Sequence, residues 1–196
     1  MPRAKTHTKH ALIEAAMHHF WRYGYSATSM DDLVKATGVS RHGIYSDVGG
    51  KQDLFLCGFA AYRDTVVAPA LRAMAASDGG LAGIRAYFET QIDLAESVGL
   101  PGPGCLVANA MTETAPHDDR VQAEVDAHNQ RLTKAFEQAL KSAAPDLDAK
   151  ASASLSAFLT LTAQGLWSMS RSADQAQILR DYVETLLGLV QLRIAE

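Results

Sequence analysis

Residues 29–45 read SMDDLVKATGVSRHGIY, two short amphipathic segments on either side of a glycine. Ser29 stands three residues before Asp32, which is the spacing of a capping box and predicts a helix start. Gly38 can adopt the left-handed conformation that ends a helix, and Ser40 can cap the helix that follows. The stretch therefore predicts two short helices joined by a tight turn, the arrangement of a helix-turn-helix.

A third helix is predicted in front of these two, from Thr8 to Tyr23. Gly24 fits the position just beyond its last residue. Its apolar residues recur at helical spacing and comprise Ile13, Ala16, Met17 and Phe20. Together the three segments predict a compact three-helix unit.

The second helix of the turn is a candidate for reading DNA. Ile44 and Val48 are expected to face the core, which leaves polar side chains on the opposite side of the helix. These side chains can hydrogen-bond phosphates or base edges in a major groove, and they are Ser40, Arg41, His42, Tyr45 and Ser46. Arg41 is the best candidate for a guanine contact. The turn by itself leaves open an alternative, a helical hairpin inside an unrelated bundle.

The distribution of charge agrees with a polyanionic partner. Residues 1–52 contain seven Lys or Arg and four acidic residues, which is a net charge of +3. Because the whole chain has a net charge of −4, the other 144 residues have a net charge of −7. Five of the seven histidines also lie in the basic part. A basic head on an acidic body favours DNA, although a solvated charged face gives a similar pattern.

The remainder of the chain also reads as helical, because apolar residues recur at helical spacing and no alternating β-type run appears. Two prolines and three glycines within residues 99–104 interrupt the pattern. The fold class is therefore predicted as all-α, with about nine helices. Those beyond the head are expected at about 51–76, 81–97, 105–114, 117–143, 147–171 and 173–194.

Composition is that of a globular protein, with 47% apolar and 20% charged residues among 196. No window reaches the roughly 18 uninterrupted apolar residues of a membrane span, and the N-terminus has no apolar signal core. A cytoplasmic protein without a membrane partner is expected. Cys57 and Cys105 are too few and too far apart for a disulfide framework or a zinc site, and both are expected as thiols.

The head has a specific pattern of residues over about its first 55 positions: Ile13-Glu14-Ala15-Ala16, Phe20, Gly24-Tyr25, Ala27-Thr28-Ser29-Met30, Leu33, Gly38-Val39-Ser40, Gly43-Ile44-Tyr45 and Lys51-Gln52-Asp53-Leu54-Phe55. With this pattern the head resembles that of TetR-family repressors. The resemblance implies a DNA-binding domain over residues 1–50 and a ligand-binding and dimerisation domain over 51–196. It also implies a repressor that a small-molecule inducer releases from a palindromic operator.

The resemblance further implies roles for individual residues. Ser29, Tyr45 and Lys51 correspond to phosphate contacts, and the candidate base contacts are Ser40, Arg41, His42 and Ser46. One segment departs from the family pattern, since the chain reads Ser46-Asp47-Val48-Gly49-Gly50 where aromatic residues are usual. Asp47 would repel a phosphate and two glycines would loosen the hinge, so weaker or more salt-sensitive DNA binding is expected.

A ligand cavity in the body would need apolar walls and a few polar groups. The candidate ligand-binding residues are Tyr62, Tyr87, Phe88, Gln91, Cys105, Asn109, His128, Phe158 and Trp167. Cys105 follows Pro103-Gly104 at a predicted helix start, where the positive end of the helix dipole stabilises a thiolate. A reactive thiol that senses electrophiles is one interpretation, and a buried cysteine that packs as a small apolar residue is the other. The inducer is expected to be small and largely apolar or electrophilic.

The last two predicted helices have wide apolar stripes that a monomer would leave partly exposed. The stripes consist of Leu155, Phe158, Leu159 and Thr162 in one helix and Tyr182, Leu186, Leu189 and Val190 in the next. Pairing them across a two-fold axis predicts a homodimer with a four-helix interface.

Two other classes of function compete with a repressor. An all-helical enzyme is disfavoured because no phosphate loop, nucleophile elbow or metal-ligand spacing appears, and neither a catalytic residue, a metal nor a cofactor is expected. A helical ligand-binding or interaction module with weak or lost DNA binding is the second alternative, and the segment 46–50 makes it conceivable. Binding to duplex DNA that weakens steeply with salt would favour the repressor.

Overall fold

The computed structural model describes residues 8–77 and 79–195, and within that part every regular element is helical. The α-helices are α1 (Lys9–Tyr23), α2 (Met30–Thr37), α3 (Arg41–Val48), α4 (Lys51–Tyr62), α5 (Ala68–Ala76), α6 (Gly80–Val98), α7 (Leu106–Glu113), α8 (Asp119–Ala143), α9 (Ala149–Met169) and α10 (Ala176–Ile194). The predicted all-α class is confirmed.

The first of two compact units contains the described residues up to Asp64 together with Leu106–Val125. Its core lies between α1 and α4, where Phe20 and Phe55 meet edge to face at 5.0 Å between ring centroids. Gly58 of α4 faces Met17 of α1, and a Cβ placed there would make ordinary contact with the Cβ of Met17 at 3.6 Å. The head of the molecule therefore packs with α7 and the start of α8, and the functional boundary expected after residue 50 stays a prediction.

The second unit contains the described residues within Thr65–Cys105 and Asp126–Glu196. Aromatic rings fill its centre, with Tyr87 and Phe136 at 5.2 Å and Phe88 and Trp167 at 6.4 Å between centroids. An ion-pair network ties α6 to α10, because the guanidinium of Arg180 contacts the carboxylates of Glu89, Asp93 and Glu96 at 3.3, 2.9 and 2.8 Å.

The prediction of a single α-helix over residues 51–76 is wrong for the middle of this range. A π-helical segment, Arg63–Val67, separates α4 from α5. Pro69 explains the change of register, because a proline has no N–H to donate to the carbonyl four residues earlier and its ring crowds that carbonyl. The side-chain amide of Gln91 donates to the carbonyl oxygen of Val66 at 3.1 Å, which satisfies one acceptor of the irregular turn. Such local widening of a helix leaves little trace in the apolar periodicity.

By length and composition alone the stretch Lys51–Ala76 could cross a membrane, with a mean hydropathy of 1.3 over its most apolar window. The core helix of a globular protein passes the same test. Leu54, Phe55 and Phe59 are buried in the core of the first unit, so packing explains these apolar side chains.

Candidate nucleic-acid interface

The turn of the predicted helix-turn-helix has the expected chemistry. Ser29 caps α2 in a reciprocal capping box, since its hydroxyl oxygen accepts from the Asp32 backbone N–H at 3.1 Å and its own N–H donates to the Asp32 carboxylate at 2.9 Å. Gly38 ends α2 with φ +68°, a left-handed conformation that favours glycine. Val39 is buried behind the turn. The capping box, the left-handed glycine and the buried Val39 together define α2 and the turn that leads to α3.

Helix α3 presents a continuous polar face to solvent. Its N-cap is Ser40, whose hydroxyl oxygen accepts from the Gly43 backbone N–H at 3.2 Å. Ile44 is fully buried, as expected. The exposed side chains at positions i, i+1, i+4 and i+5 share one side of the helix and belong to Arg41, His42, Tyr45 and Ser46. These hydroxyl, imidazole and guanidinium groups can bond phosphates and base edges.

Arg41 forms an intramolecular ion pair that the sequence does not indicate. Its guanidinium nitrogen lies 2.8 Å from the carboxylate of Asp31 in α2, and both side chains are exposed. The pair joins residues ten positions apart and depends on the angle between the two helices, so no local spacing indicates it. Because a surface ion pair is weak, Arg41 can exchange Asp31 for a phosphate or a base.

Replacing Asp31 by asparagine is expected to strengthen DNA binding by about 2–5-fold at low salt, because the variant removes a competitor for Arg41 and a negative charge beside the candidate reading helix α3. Fluorescence anisotropy with a labelled duplex measures the change. Asp119→Asn, which alters the same charge at an exposed position of α8, is the matched control. Equal or lower affinity of the Asp31→Asn protein would contradict the competition.

The segment after α3, where the sequence departs from the family pattern, forms a tight turn built on two glycines. Gly49 is the C-cap of α3 with φ +101°, and Gly50 has φ +149°. A Cβ at Gly50 would lie 3.3 Å from Cε1 of Tyr45, so the tyrosine ring rests against this turn. Helix α4 begins without a side-chain cap. The glycines are thus required by backbone conformation and by the close approach of Tyr45.

Lys51, a predicted phosphate contact, is the first residue of α4 and lies over an aromatic ring. Its Nζ is 4.1 Å from the centroid of Tyr25. Partial burial lowers the pKa of Lys51, while the nearby carboxylate of Glu113 opposes that shift. Lys51 is thus a cation held in place at the start of α4, next to α3 in the chain.

The family of the protein follows from its similarity to known sequences. A profile described as "Bacterial regulatory proteins, tetR family" matches residues 12–56. A second, described as "Tetracyclin repressor-like, C-terminal domain", matches residues 80–186, which is more than half of the chain. The chain belongs to the TetR family. The predicted function, a ligand-responsive DNA-binding repressor, is the function of this family, whose members are transcription factors and not generally enzymes.

Individual relatives are distant in sequence, but their similarity extends over most of the chain. The uncharacterized HTH-type transcriptional regulator YezE of Bacillus subtilis (strain 168) is 24% identical over 197 residues, which cover 97% of this chain and 100% of the relative. The HTH-type transcriptional repressor ComR of Escherichia coli (strain K12) is 27% identical over 139 residues, 70% of this chain and 66% of the relative.

Solved structures of TetR-family proteins share the fold. A cysteine mutant of the regulator CifR, complexed with 26-bp double-strand operator DNA, matches with a TM-score of 0.81 and 21% identity over 94% of this chain and 98% of that chain. A TetR regulator from Legionella pneumophila matches with a TM-score of 0.79 and 16% identity over 96% of this chain and 99% of that chain. At these identities the likeness concerns the fold.

The candidate ligand-binding residues of this TetR-family protein are divided between the two units. Most are buried in the second unit, namely Tyr87, Phe88, Gln91, Cys105, His128 and Trp167. Tyr62 and Asn109 belong to the first unit. Phe158 is 44% exposed on the outer face of α9. In the part of the chain that the structure describes, no cluster of His, Cys, Asp or Glu could hold a metal ion.

Cys105 lies immediately before α7 and is only 3% exposed, whereas Cys57 is half-buried. Burial restricts access of an electrophile to the Cys105 sulfur. The structure therefore favours the interpretation in which Cys105 packs as a small apolar residue.

His128 is a buried, uncharged group in the second unit. Burial, and to a smaller extent the charge of Arg131, lowers the pKa of its imidazole to about 4. In the unfolded chain the imidazole has its ordinary pKa of about 6.5. Between these values the unfolded state binds the proton and the folded state does not, so stability falls as the pH falls.

Replacing His128 by glutamine is expected to reduce the acid sensitivity of folding. Linkage predicts that His128 alone makes unfolding easier by about 2 kcal/mol at pH 5 than at pH 7, and a side chain that does not titrate removes this difference. Urea unfolding of both proteins at the two pH values measures it. The same loss of stability between pH 7 and pH 5 in both proteins would show that His128 does not titrate in this way.

The last two helices leave apolar side chains uncovered, and three residues of the predicted stripes, Phe158, Tyr182 and Leu189, are among them. The other five are buried within the protein, namely Leu155, Leu159, Thr162, Leu186 and Val190. The exposed side chains are Phe158, Leu161 and Met169 on α9 and Ile178, Tyr182, Leu189 and Leu192 on α10. Helix α9 is apolar on two sides, so periodicity could not decide which side faces inward.

Proposed function

We propose that two copies of this TetR-family protein bind a palindromic operator, each inserting α3 into a major groove, and that a small molecule in the body releases the DNA. The observation that carries the proposal is the exposed polar face of α3. A helix anchored by Ile44 and capped by Ser40 presents Arg41 and Tyr45 on a rigid element, as groove recognition requires.

Phosphate contacts are proposed for Ser29, Tyr45 and Lys51. Ser29 and Ser40 already accept hydrogen bonds from backbone N–H groups, but their hydroxyls retain a proton that a neighbouring oxygen can accept. The Ser29 hydroxyl donates this proton to the Asp32 carboxylate, with 2.6 Å between the oxygens. A phosphate would therefore have to displace the carboxylate. Lys51 contributes a full charge, and Tyr45 lies exposed on α3. The base contacts are then left to Arg41, His42, Ser40 and Ser46.

The dimer is proposed to form through α9 and α10. Seven large apolar side chains on their outer faces are exposed in the single chain, and Leu161 is 73% exposed. A self-complementary apolar patch of this kind is what a two-fold interface buries. The resulting symmetry would present two α3 helices to successive major grooves, as a palindrome requires.

A neutral, largely apolar inducer is proposed for the body. Tyr87, Phe88 and Trp167 supply aromatic surface, and His128 stays uncharged at neutral pH. Within the described chain, Oε1 of Gln164 is buried without a hydrogen-bond partner, so a ligand that donates a hydrogen bond can satisfy it. An electrophile is less well supported because the sulfur of Cys105 is buried. As a DNA-binding repressor the protein is proposed to act in the cytoplasm.

Selection of duplexes from a random library by the purified protein tests the proposal. We expect enrichment of an inverted repeat whose half-sites lie one helical turn apart, or a multiple of it. A screen for neutral compounds that release the selected duplex then identifies the inducer class. Enrichment of a single unrepeated site would contradict the dimeric binding mode, and the absence of any enriched sequence would contradict the assignment of α3.

A further inference from the structure

A carboxylate from the end of α7 clamps the turn between α1 and α2. Oε2 of Glu113 accepts from the backbone N–H of Tyr25 at 3.0 Å, and Oε1 accepts from that of Ser26 at 2.7 Å. Gly24 makes room for this contact, because a Cβ at that position would lie 3.1 Å from both carboxylate oxygens. Gly24 also has φ +83°. The turn is therefore shaped around one charged side chain some 87 residues away in sequence.

Tyr25, whose backbone N–H binds the Glu113 carboxylate, holds the ammonium of Lys51 over its ring. The ring of Tyr25 packs against Phe55 at 4.9 Å and Phe20 at 6.0 Å between centroids, and its face carries the ammonium of Lys51 at 4.1 Å. Burial, with a smaller effect of the Asp118 carboxylate, raises the pKa of Tyr25, so its ring stays neutral at physiological pH. A neutral aromatic face attracts a cation. The contacts thus run in sequence from Glu113 through the backbone and ring of Tyr25 to Lys51.

Neighbouring contacts fix the first turn of α4 in the same way. The side-chain amide of Gln52 donates to the carboxylate of Asp118. The guanidinium of Arg120 donates to the carboxylate of Asp53 at 2.8 Å. Residues just after α7 therefore hold the two positions that follow Lys51. Glu113 differs from these residues because its contacts lead through Tyr25 to Lys51 itself.

We propose that Glu113 is a positioning residue for DNA binding, which holds the ring of Tyr25 where it presents Lys51 to the phosphate backbone. Lysine has a long flexible side chain that loses rotational freedom when it binds a phosphate. A lysine whose ammonium is already held over a ring loses less of this freedom on binding. This inference rests on the proposed function, because it takes Lys51 as a phosphate contact.

The substitution Glu113→Gln tests the proposal. An amide offers one acceptor oxygen and no charge, so the clamp loses one hydrogen bond and its attraction for Lys51. We expect operator affinity to fall about 3–10-fold, and the slope of log K against log salt to fall by about 1.8 for a dimer, which corresponds to one lost phosphate contact per copy. Asp119→Asn, with the same change of charge, should leave both quantities nearly unchanged.

The salt slope separates positioning from a loss of structure. A variant that merely lowers the folded fraction binds less tightly with the slope of the wild type. Lys51→Met should lose the same slope as Glu113→Gln, and the double variant should lose no more than either single one. If Lys51→Met loses slope while Glu113→Gln does not, the inference is overturned and the proposed function stands. If Lys51→Met keeps the wild-type slope, the proposed phosphate contact fails instead.

A second pair of variants decides the matter even if Glu113→Gln does not fold. Tyr25→Leu keeps the backbone N–H that Glu113 binds and removes the ring, so it should lose the same salt slope. Tyr25→Phe keeps the ring face and should retain the wild-type slope. A wild-type slope in Tyr25→Leu, or an equal loss in Tyr25→Phe, would overturn the role of the ring.

Discussion

Replacing Leu161 by glutamate is expected to convert the proposed dimer to a monomer and to lower operator affinity by roughly 100-fold or more, since two linked reading heads bind far more tightly than one. Leu161 is the most exposed large apolar residue in the described chain. It lies on the uncovered face of α9, near Phe158. In a two-fold interface a carboxylate placed there would be buried without a partner.

Mass measurement by light scattering, together with an operator titration, checks this expectation. Gln191→Glu on α10 introduces the same charge at an exposed position outside the apolar face, and this control should stay dimeric. A Leu161→Glu protein that keeps the mass of a dimer would show that the uncovered face of α9 and α10 is not the interface.

Arg41→Ala is expected to weaken binding to the selected operator by about 10–100-fold and to relax the preference at one base of each half-site, as loss of a bidentate guanine contact does. Because Arg41 is exposed and pairs on the surface with Asp31, the variant should unfold at nearly the same temperature as the wild type. Tyr45→Phe removes one hydroxyl and should cause a smaller loss.

A gel-shift titration with operator and with unrelated duplex measures both effects. Arg22→Ala, which removes the same charge from the exposed end of α1, is the control for a general loss of positive charge. Unchanged operator affinity in the Arg41→Ala protein would contradict the assignment of α3 as the reading helix.

The head could be predicted from sequence because its structure is encoded locally. Ser29, Gly38 and Ser40 act within a few residues of their own position, through caps and a left-handed turn. Such signals need no knowledge of the rest of the chain. The same locality explains why the exposed residues of α3 were correctly placed on one side of the helix.

The contacts that hold Tyr25 and Arg41 in the head could not be predicted, because they join separate helices or residues far apart in sequence. Glu113 meets Tyr25 across 88 positions, and Asp31 meets Arg41 through the angle between two helices. Helix α9 shows the related limit for packing, since both its buried Leu159 and its exposed Leu161 fit an apolar stripe. Only the packed chain decides which side of such a helix faces solvent.

Titration of the purified protein with duplex DNA over a series of salt concentrations is the most direct test of the central claim, that this TetR-family protein is a DNA-binding regulator. We predict binding at low salt that weakens linearly in log K against log salt, with a steep slope set by phosphate contacts in two heads. Absence of binding to any duplex at low salt would contradict the claim and would favour a helical module that does not bind DNA.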